Sequence, residues 1–233
     1  MARILVVEDD DGIRTMLGMA LTDEGHDVTE APSAEMALVR LGANTPELML
    51  VDLMLGGMSG LDFIRQARKV TTAPILVVSA LGDPSTTVEA FERGADDYVT
   101  KPFDLEVLSA RCRAALRRAS RSEDPQEAAQ HQVLDADRCV VLDVPAGRLT
   151  MGDEEVHLTD TEFRLLAHLG THPGRIVSRE WLLREVWGHR LVVDDGRLVD
   201  AHMSRLRNKV ERDPTRPTLI TTVRGQGYRL DPQ

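Results

Sequence analysis

Five side chains in the first half of the chain have the types and spacing for phosphoryl chemistry: Glu8, Asp9, Asp52, Ser79 and Lys101 each follow a short apolar run. Three carboxylates brought to one edge repel one another unless a cation neutralises them, and hard carboxylate oxygens with room for water suit Mg2+. Lys101 beside them supplies a fixed positive charge for a phosphoryl oxygen, and Ser79 adds a hydroxyl donor. Such a set suits transfer of a phosphoryl group to a carboxylate, where positioning and neutralisation of developing charge do most of the catalysis. Asp52 is the best acceptor, because it lies between the acid pair and the lysine. Taken singly, each element has a plainer reading. Glu8 to Asp11 can be a solvated turn with Asp11 capping the next helix, Asp52 a turn residue, and Lys101-Pro102 a helix start. Their joint placement after four separate runs favours a functional pocket.

The elements that must position these groups alternate with period. Apolar runs predict strands at Ile4 to Val7, Asp27 to Glu30, Leu48 to Val51, Ile75 to Val78 and Asp97 to Val99. Helical periodicity falls at about Gly12 to Glu24, Ala34 to Leu41, Gly60 to Lys69, Ser85 to Arg93 and Asp104 to Arg118. Five such repeats predict a doubly wound α/β domain on a five-stranded parallel sheet of the flavodoxin-like kind. In that architecture ligands bind beyond the carboxyl ends of the strands, which is where the five side chains fall.

Residues 120–132 (SRSEDPQEAAQHQ) have no apolar periodicity and read as a linker between units at 1–119 and 133–233. Beyond it, CVVLDVPAGRLTMGDEEVHL predicts three short strands. Thr159 and Glu162 form a capping box ahead of FRLLAHL, helices follow at about Arg179 to Trp187 and Gly196 to Arg212, and LITTVRGQGYRL reads as a hairpin. Strands, three helices and a hairpin predict an α+β winged helix-turn-helix. The third helix puts Leu198, Val199, Met203, Leu206 and Val210 on one stripe and leaves Arg197, Ser204, Arg205, Asn208 and Lys209 facing outward, with His202 and Arg207 flanking. Such a basic face would enter a major groove, and Arg224 on the hairpin could reach the adjacent minor groove.

Charge distribution agrees with this division. The chain carries a net charge of -10, but positions 196–229 hold eight basic and three acidic residues, a local +5. No apolar run approaches the length of a membrane span. Cys112 and Cys139 lack metal or redox spacing, so a soluble protein of the reducing cytoplasm is expected. Trp181 and Trp187 read as core anchors, and His157, His168 and His172 lack ligand spacing.

The strings ILVVEDD, LVDLML, VVSA and GADDYVTKPF, in this order and spacing, resemble the receiver domain of two-component response regulators over residues 2 to about 120. The resemblance implies that Asp52 takes phosphate from a sensor histidine kinase, that Glu8, Asp9, Asp52 and the Met54 carbonyl hold Mg2+, and that Lys101 binds the phosphoryl group. It also implies that Ser79 and Tyr98 move on activation, and that the Lys101-Pro102 peptide is cis. From about residue 135 to 230, LTDTEFRLLAHLGTHPGRIVSREWLLREVWG, DAHMSRLRNKVE and TVRGQGYRL are similar to the effector domain of the OmpR/PhoB group. By position this implies phosphate contacts from Arg197 and His202, groove contacts from Arg205, a minor-groove role for Arg224, support from Tyr228, and an RNA polymerase contact near His189 to Asp194. Ser204 stands where many members carry Arg.

Members of this group pair as homodimers through the fourth helix, fifth strand and fifth helix. Here the usual basic and acidic partners of one ion pair are Thr87 and Val107, a second pair is replaced by Arg93 facing Arg111, and Asp96, Asp97 and Arg118 remain. Exposed ion pairs contribute about 0–1 kcal/mol each, so a weak or rearranged active dimer is expected. Gly56 replaces a proline common after the phosphorylated strand, an exchange expected to loosen that loop. An aspartate-based hydrolase needs a second acid two positions on, where Met54 stands. A pure interaction adaptor would lack DNA affinity.

Overall fold

The computed structural model describes residues 1–43, 45–120, 131–187 and 196–233, and the chain divides into two compact units, Met1–Ser120 and Arg121–Gln233. In the first unit, strands β1 (Arg3–Val7), β2 (Asp27–Ala31), β3 (Leu48–Val51), β4 (Ile75–Ser79) and β5 (Asp97–Thr100) form one parallel sheet in the order β2-β1-β3-β4-β5. Helices α1 (Asp11–Asp23), α2 (Ala34–Ala43), α3 (Gly60–Ala67) and α4 (Pro84–Arg93) make the four crossovers, and α5 (Leu105–Ser120) follows the last strand. The central strands are continuous runs of Val, Ile, Leu and Met because both of their faces are covered, and no water-facing alternation survives. Ile4, Val6, Leu48, Leu50, Leu76 and Val78 pack on Leu17, Leu21, Leu108 and Cys112 from α1 and α5.

Helix starts are set by side-chain acceptors for otherwise unpaired amides. Asp10 caps α1 by accepting from Ile13 N at 2.8 Å, Ser59 caps α3, and Asp83 caps α4 ahead of Pro84. The cap of α1 is therefore Asp10 rather than the expected Asp11, which is already helical. The order of the strands reverses between β1 and β3, and Val7 lies opposite Val51 in their register. The next residues, Glu8 and Asp52, consequently leave the sheet side by side.

The second unit contains a four-stranded antiparallel sheet of β6 (His131–Asp135), β7 (Val140–Asp143), β8 (Arg148–Met151) and β9 (Glu154–Glu155). Helices α6 (Asp160–Gly170), α7 (Arg179–Trp187) and α8 (Gly196–Val210) follow, with a three-stranded sheet of β10 (Ile176–Ser178), β12 (Gly227–Leu230) and β11 (Ile220–Val223). This is the expected winged helix-turn-helix with additions. The amino-terminal sheet has four strands rather than three, and its first strand takes in His131 and Gln132 from the expected linker. The wing is a three-stranded sheet because β10 pairs with β12, and three residues are too few to show a period.

The wing depends on one glycine. Gly227 has φ +152, and a Cβ placed there would lie 2.0 Å from the Val177 carbonyl oxygen of β10. Gly227→Ala should lower the stability of the second unit by about 2 kcal/mol or more, since both the backbone region and the strand spacing resist it. Urea denaturation followed by tryptophan fluorescence checks this, as both tryptophans, Trp181 and Trp187, belong to this unit. A shift under about 0.5 kcal/mol would mean that β10 is not fixed against β12 in solution.

Candidate functional site

The carboxyl edge of the first sheet gathers four of the expected side chains. Oxygens of Glu8, Asp9 and Asp52 lie within 4.8 Å of one another. Lys101, carried by the turn after β5, donates to both Glu8 oxygens at 2.9 and 2.7 Å and to Asp52 Oδ2 at 2.5 Å. Asp52 is 5% exposed and Glu8 2%, while Asp9 is exposed. The other Asp52 oxygen, Oδ1, accepts from the Met54 amide at 2.9 Å. The Lys101-Pro102 peptide is cis.

Burial pushes the Glu8 carboxyl above its ordinary range, and repulsion from Asp52 adds to this against the opposing pull of Lys101. Burial alone would lower the Lys101 ammonium, but hydrogen bonds and charge attraction from Asp52 and Glu8 outweigh it and hold the pKa above the usual lysine value. The site is thus a desolvated carboxylate pair held by one ammonium, with a third carboxylate on its open side. Glycine at position 60 permits it. A Cβ there would lie 2.0 Å from the Asp52 carbonyl oxygen, so α3 begins directly against the backbone that carries Asp52.

Ser79 is buried at the end of β4. Tyr98, on β5, is 8% exposed, stands edge-on to Phe91 with ring centroids 6.3 Å apart, and donates its hydroxyl to the Leu81 carbonyl. Burial raises the Tyr98 phenol to about 12, so it stays a donor at neutral pH.

Groups not singled out in the sequence hold the loops of this edge. Arg14 donates to the carbonyls of Glu8 at 2.9 Å and Asp9 at 3.3 Å, and also to Asp11. The loop after Asp52, expected to be loosened by its glycine, carries two side-chain ties: Gly56 N donates to Asp9 Oδ2 at 3.3 Å, and Met58 N donates to Glu35 Oε1 at 2.9 Å. A proline at position 56 would have no N–H to give. An Arg one turn into a helix carries no sequence signal for such a role.

The charged residues expected at a dimer face are largely engaged within the unit. Arg93 pairs with Glu89 at 2.7 Å and Asp62 at 2.8 Å, and Arg111 with Asp97 at 2.9 Å. Asp96 is 6% exposed and takes Arg68 at 2.5 Å, so it is not the available surface acid that was expected. Val107 is exposed at 44%. The Arg118 side chain lies outside the described residues.

In the second unit α8 exposes Arg197, Asp200, Ser204 and Asn208, and Arg224 is exposed at the tip of the β11–β12 hairpin. Two expected DNA-facing residues are elsewhere. His202 is fully buried, with its ring 5.3 Å from that of Trp187, because its position falls on the apolar stripe of α8. Arg207 turns to the wing, donating to the Ile220 carbonyl at 2.6 Å and Thr222 Oγ1 at 2.8 Å with its guanidinium over the Tyr228 ring.

Arg205 and Lys209 are half-buried and pair with the two oxygens of Glu162 on α6, at 3.0 and 2.6 Å. Thr159 and Glu162 make the predicted capping box, so one carboxylate serves both the cap and the ion pairs. Asp200 accepts from Arg179 Nε and from the Tyr228 hydroxyl, each at 2.6 Å, joining α7, α8 and β12. The loop expected to meet RNA polymerase, His189 to Asp194, lies outside the described residues.

Known proteins carry the same two-part arrangement. Residues 4–113 match the family described as response regulator receiver domain, and residues 153–230 the family described as transcriptional regulatory protein, C terminal. The transcriptional regulatory protein AfsQ1 of Streptomyces coelicolor is 45% identical over 232 residues, spanning 100% of this chain and 99% of its own. The DNA-binding response regulator MtrA of Mycobacterium tuberculosis is 42% identical over 230 residues, 99% of this chain and 97% of its own. Among solved structures, a RitR mutant matches with a TM-score of 0.77 at 27% identity over 100% of both chains. DrrB, described as a Thermotoga maritima OmpR/PhoB homolog, matches with a TM-score of 0.50 at 29% identity over 99% of both.

Proposed function

We propose, for a chain that belongs to the OmpR/PhoB family of two-component response regulators, that Asp52 accepts a phosphoryl group and thereby controls the binding of the second unit to promoter DNA. The observation that carries this reading is the single ammonium of Lys101 shared by Glu8 and Asp52, with Asp9 completing a carboxylate cluster. A structural ion pair needs one acid; three acids within 4.8 Å need more positive charge than one lysine brings.

The donor set suits a hard divalent cation. Glu8, Asp9 and Asp52, with the Met54 carbonyl, would hold Mg2+, which when bound supplies positive charge against the phosphoryl oxygens. An Asp52 oxygen attacks phosphorus as the bond to a histidine nitrogen of the sensor kinase breaks, and the bonding electron pair leaves with that nitrogen. Lys101 then exchanges part of its contact with Glu8 and Asp52 for a phosphoryl oxygen. Ser79 turns its hydroxyl to the phosphate, and Tyr98 leaves the Leu81 carbonyl for the space so vacated. The chain is a switch acting in the cytoplasm rather than an enzyme turning over a separate substrate.

On DNA, Arg197 and Arg224 are the exposed cations of the expected contact set, Ser204 lies on the same exposed face of α8 as Arg197, and Arg205 and Lys209 flank it from their Glu162 anchor. His202 and Arg207 support α8 from behind. Phosphorylation draws two copies into a homodimer through a face whose charges are mostly engaged internally, and RNA polymerase meets the DNA-bound form.

DNA selected from a random pool, with and without a small acyl phosphate donor and Mg2+, tests this. Phosphodonor should raise the affinity of the wild-type protein by about 5- to 100-fold, the usual range of coupling between sites, and leave Asp52→Ala unchanged. Equal responses of the two proteins would overturn the assignment of Asp52, and no salt-dependent binding in either would overturn the DNA reading.

A further inference from the structure

Asp9 is the exposed member of the carboxylate cluster, and an exposed carboxylate on a loop has rotamers that point away from its partners. Its Oδ2 nevertheless accepts from the Gly56 amide at 3.3 Å, across to the loop that follows Asp52. The backbone of the same Asp9 is fixed from the other side by the Arg14 guanidinium, 13% exposed, which donates to the Glu8 and Asp9 carbonyls. Asp9 is thus the point where the loop after β1 and the loop after β3 are joined.

The residue that makes this join is a departure from the proline common at its position, and proline has no N–H to donate. Gly56 does not have the positive φ that would demand glycine, and a Cβ there would meet nothing closer than Asp9 Oδ2 at 4.0 Å. Neither backbone conformation nor space calls for a glycine, whereas the hydrogen bond calls for a residue other than proline.

We infer that the backbone amide of Gly56 is a positioning group for the cation site, holding the Asp9 carboxylate toward Glu8 and Asp52. The inference rests on the reading of these three carboxylates as a divalent-cation site. This chain's site is thus organised in part by a contact that a proline at position 56, having no N–H, could not form. A carboxylate already oriented loses less side-chain freedom on binding the cation, which raises affinity.

Calorimetric titration of the full chain with Mg2+, with no phosphodonor present, tests this on the wild-type protein, Gly56→Ala, Gly56→Pro and Asp9→Ala. Gly56→Ala keeps the amide and should bind within twofold of wild type. Gly56→Pro should bind about five- to tenfold more weakly, within the net range of one ordinary hydrogen bond, since the contact is long and exposed. Loss of binding in Asp9→Ala supports the cation site itself, and unchanged binding in that variant overturns the site reading.

With that site intact, equal affinities of Gly56→Pro and Gly56→Ala, or tighter binding by Gly56→Pro, overturn the inference about Gly56. A second measurement avoids dependence on the proline variant's folding. The temperature coefficient of the Gly56 amide proton should be small in the wild-type protein and larger in Asp9→Ala; equal coefficients overturn the inference. Thermal midpoints of the variants separate a general loss of fold from a loss of cation affinity.

Discussion

Lys101→Met should lower the stability of the first unit by about 3–5 kcal/mol in the absence of divalent cation, the usual result of removing one partner from a buried ion pair. The ammonium makes three short contacts with Glu8 and Asp52, which are 2% and 5% exposed as side chains, so its removal leaves two largely desolvated carboxyls without a cation. Methionine is unbranched and only one heavy atom shorter, so the loss is chiefly of charge rather than volume. Two consequences separate this from a general packing defect. Mg2+ should return part of the loss, because a cation that binds only the folded site stabilises it by mass action.

The pH dependence of stability should also move from the lysine range to the carboxylate range. In the wild-type protein the raised Lys101 pKa contributes stability that is complete below about pH 10.5 and is lost as pH rises through the raised value. Without Lys101 the Glu8 carboxyl loses a group that lowers its pKa, so it moves further up from an already raised position. A carboxyl raised on folding stabilises the folded state when protonated, so the variant should gain more stability than the wild-type protein as pH falls through the raised value toward the ordinary carboxylate value of about 4.5. Hydrogen exchange of the β1, β3 and β4 amides in the full chain reads all three effects. A variant as stable as wild type without cation, or one that Mg2+ does not help, would contradict the view that Lys101 stands in for missing positive charge.

How much of this was legible depended on whether the cause was local. The runs ILVV, LMLV and ILVV declare buried parallel strands because each residue's two-sided burial is written in its own type, and the site residues follow from where those runs end. Thr159 and Glu162 declare a helix start because their hydrogen bonds span only three residues. The strand Ile176–Ser178 gives no period, and it exists because β12 offers a free edge. Arg207 reads as a surface cation until Ile220, Thr222 and Tyr228 are brought to it by the wing.

His202 is a comparable case. It sits beside Met203 on a helix whose apolar stripe is wide enough to take it in, and a histidine's polarity alone argues for the opposite face. Gly56 shows the limit from the other direction. The missing proline reads as lost stiffness, while the exposed amide and its acceptor on Asp9 are brought together only by the adjacency of β1 and β3.

Glu162→Ala should be the costliest single change in the second unit, at about 3–5 kcal/mol, and it should alter DNA binding in an unexpected direction. Glu162 is fully buried, accepts from the Thr159 amide at 2.9 Å, and neutralises both Arg205 and Lys209. Burial would raise its carboxyl, but the two cations and the Lys209 hydrogen bond outweigh this and hold it below the ordinary value. A carboxyl lowered on folding contributes stability that is present above about pH 4.5 and lost as pH falls through the lowered value.

The wild-type second unit should therefore weaken on acidification, and Glu162→Gln, which keeps a cap acceptor, should flatten that loss. Removing the carboxylate also removes the ion pairs that hold Arg205 and Lys209 beside the exposed face of α8, leaving Lys209 its bond to the His157 carbonyl. If both reach DNA phosphates, the slope of log affinity against log salt should steepen by up to about 2, at roughly 0.9 per phosphate. Glu162→Gln, which folds with less loss, is the variant in which to measure it by fluorescence anisotropy. A salt slope equal to that of the wild-type protein would mean that Arg205 and Lys209 already reach the phosphates in the native complex, with Glu162 holding them in place rather than holding them back.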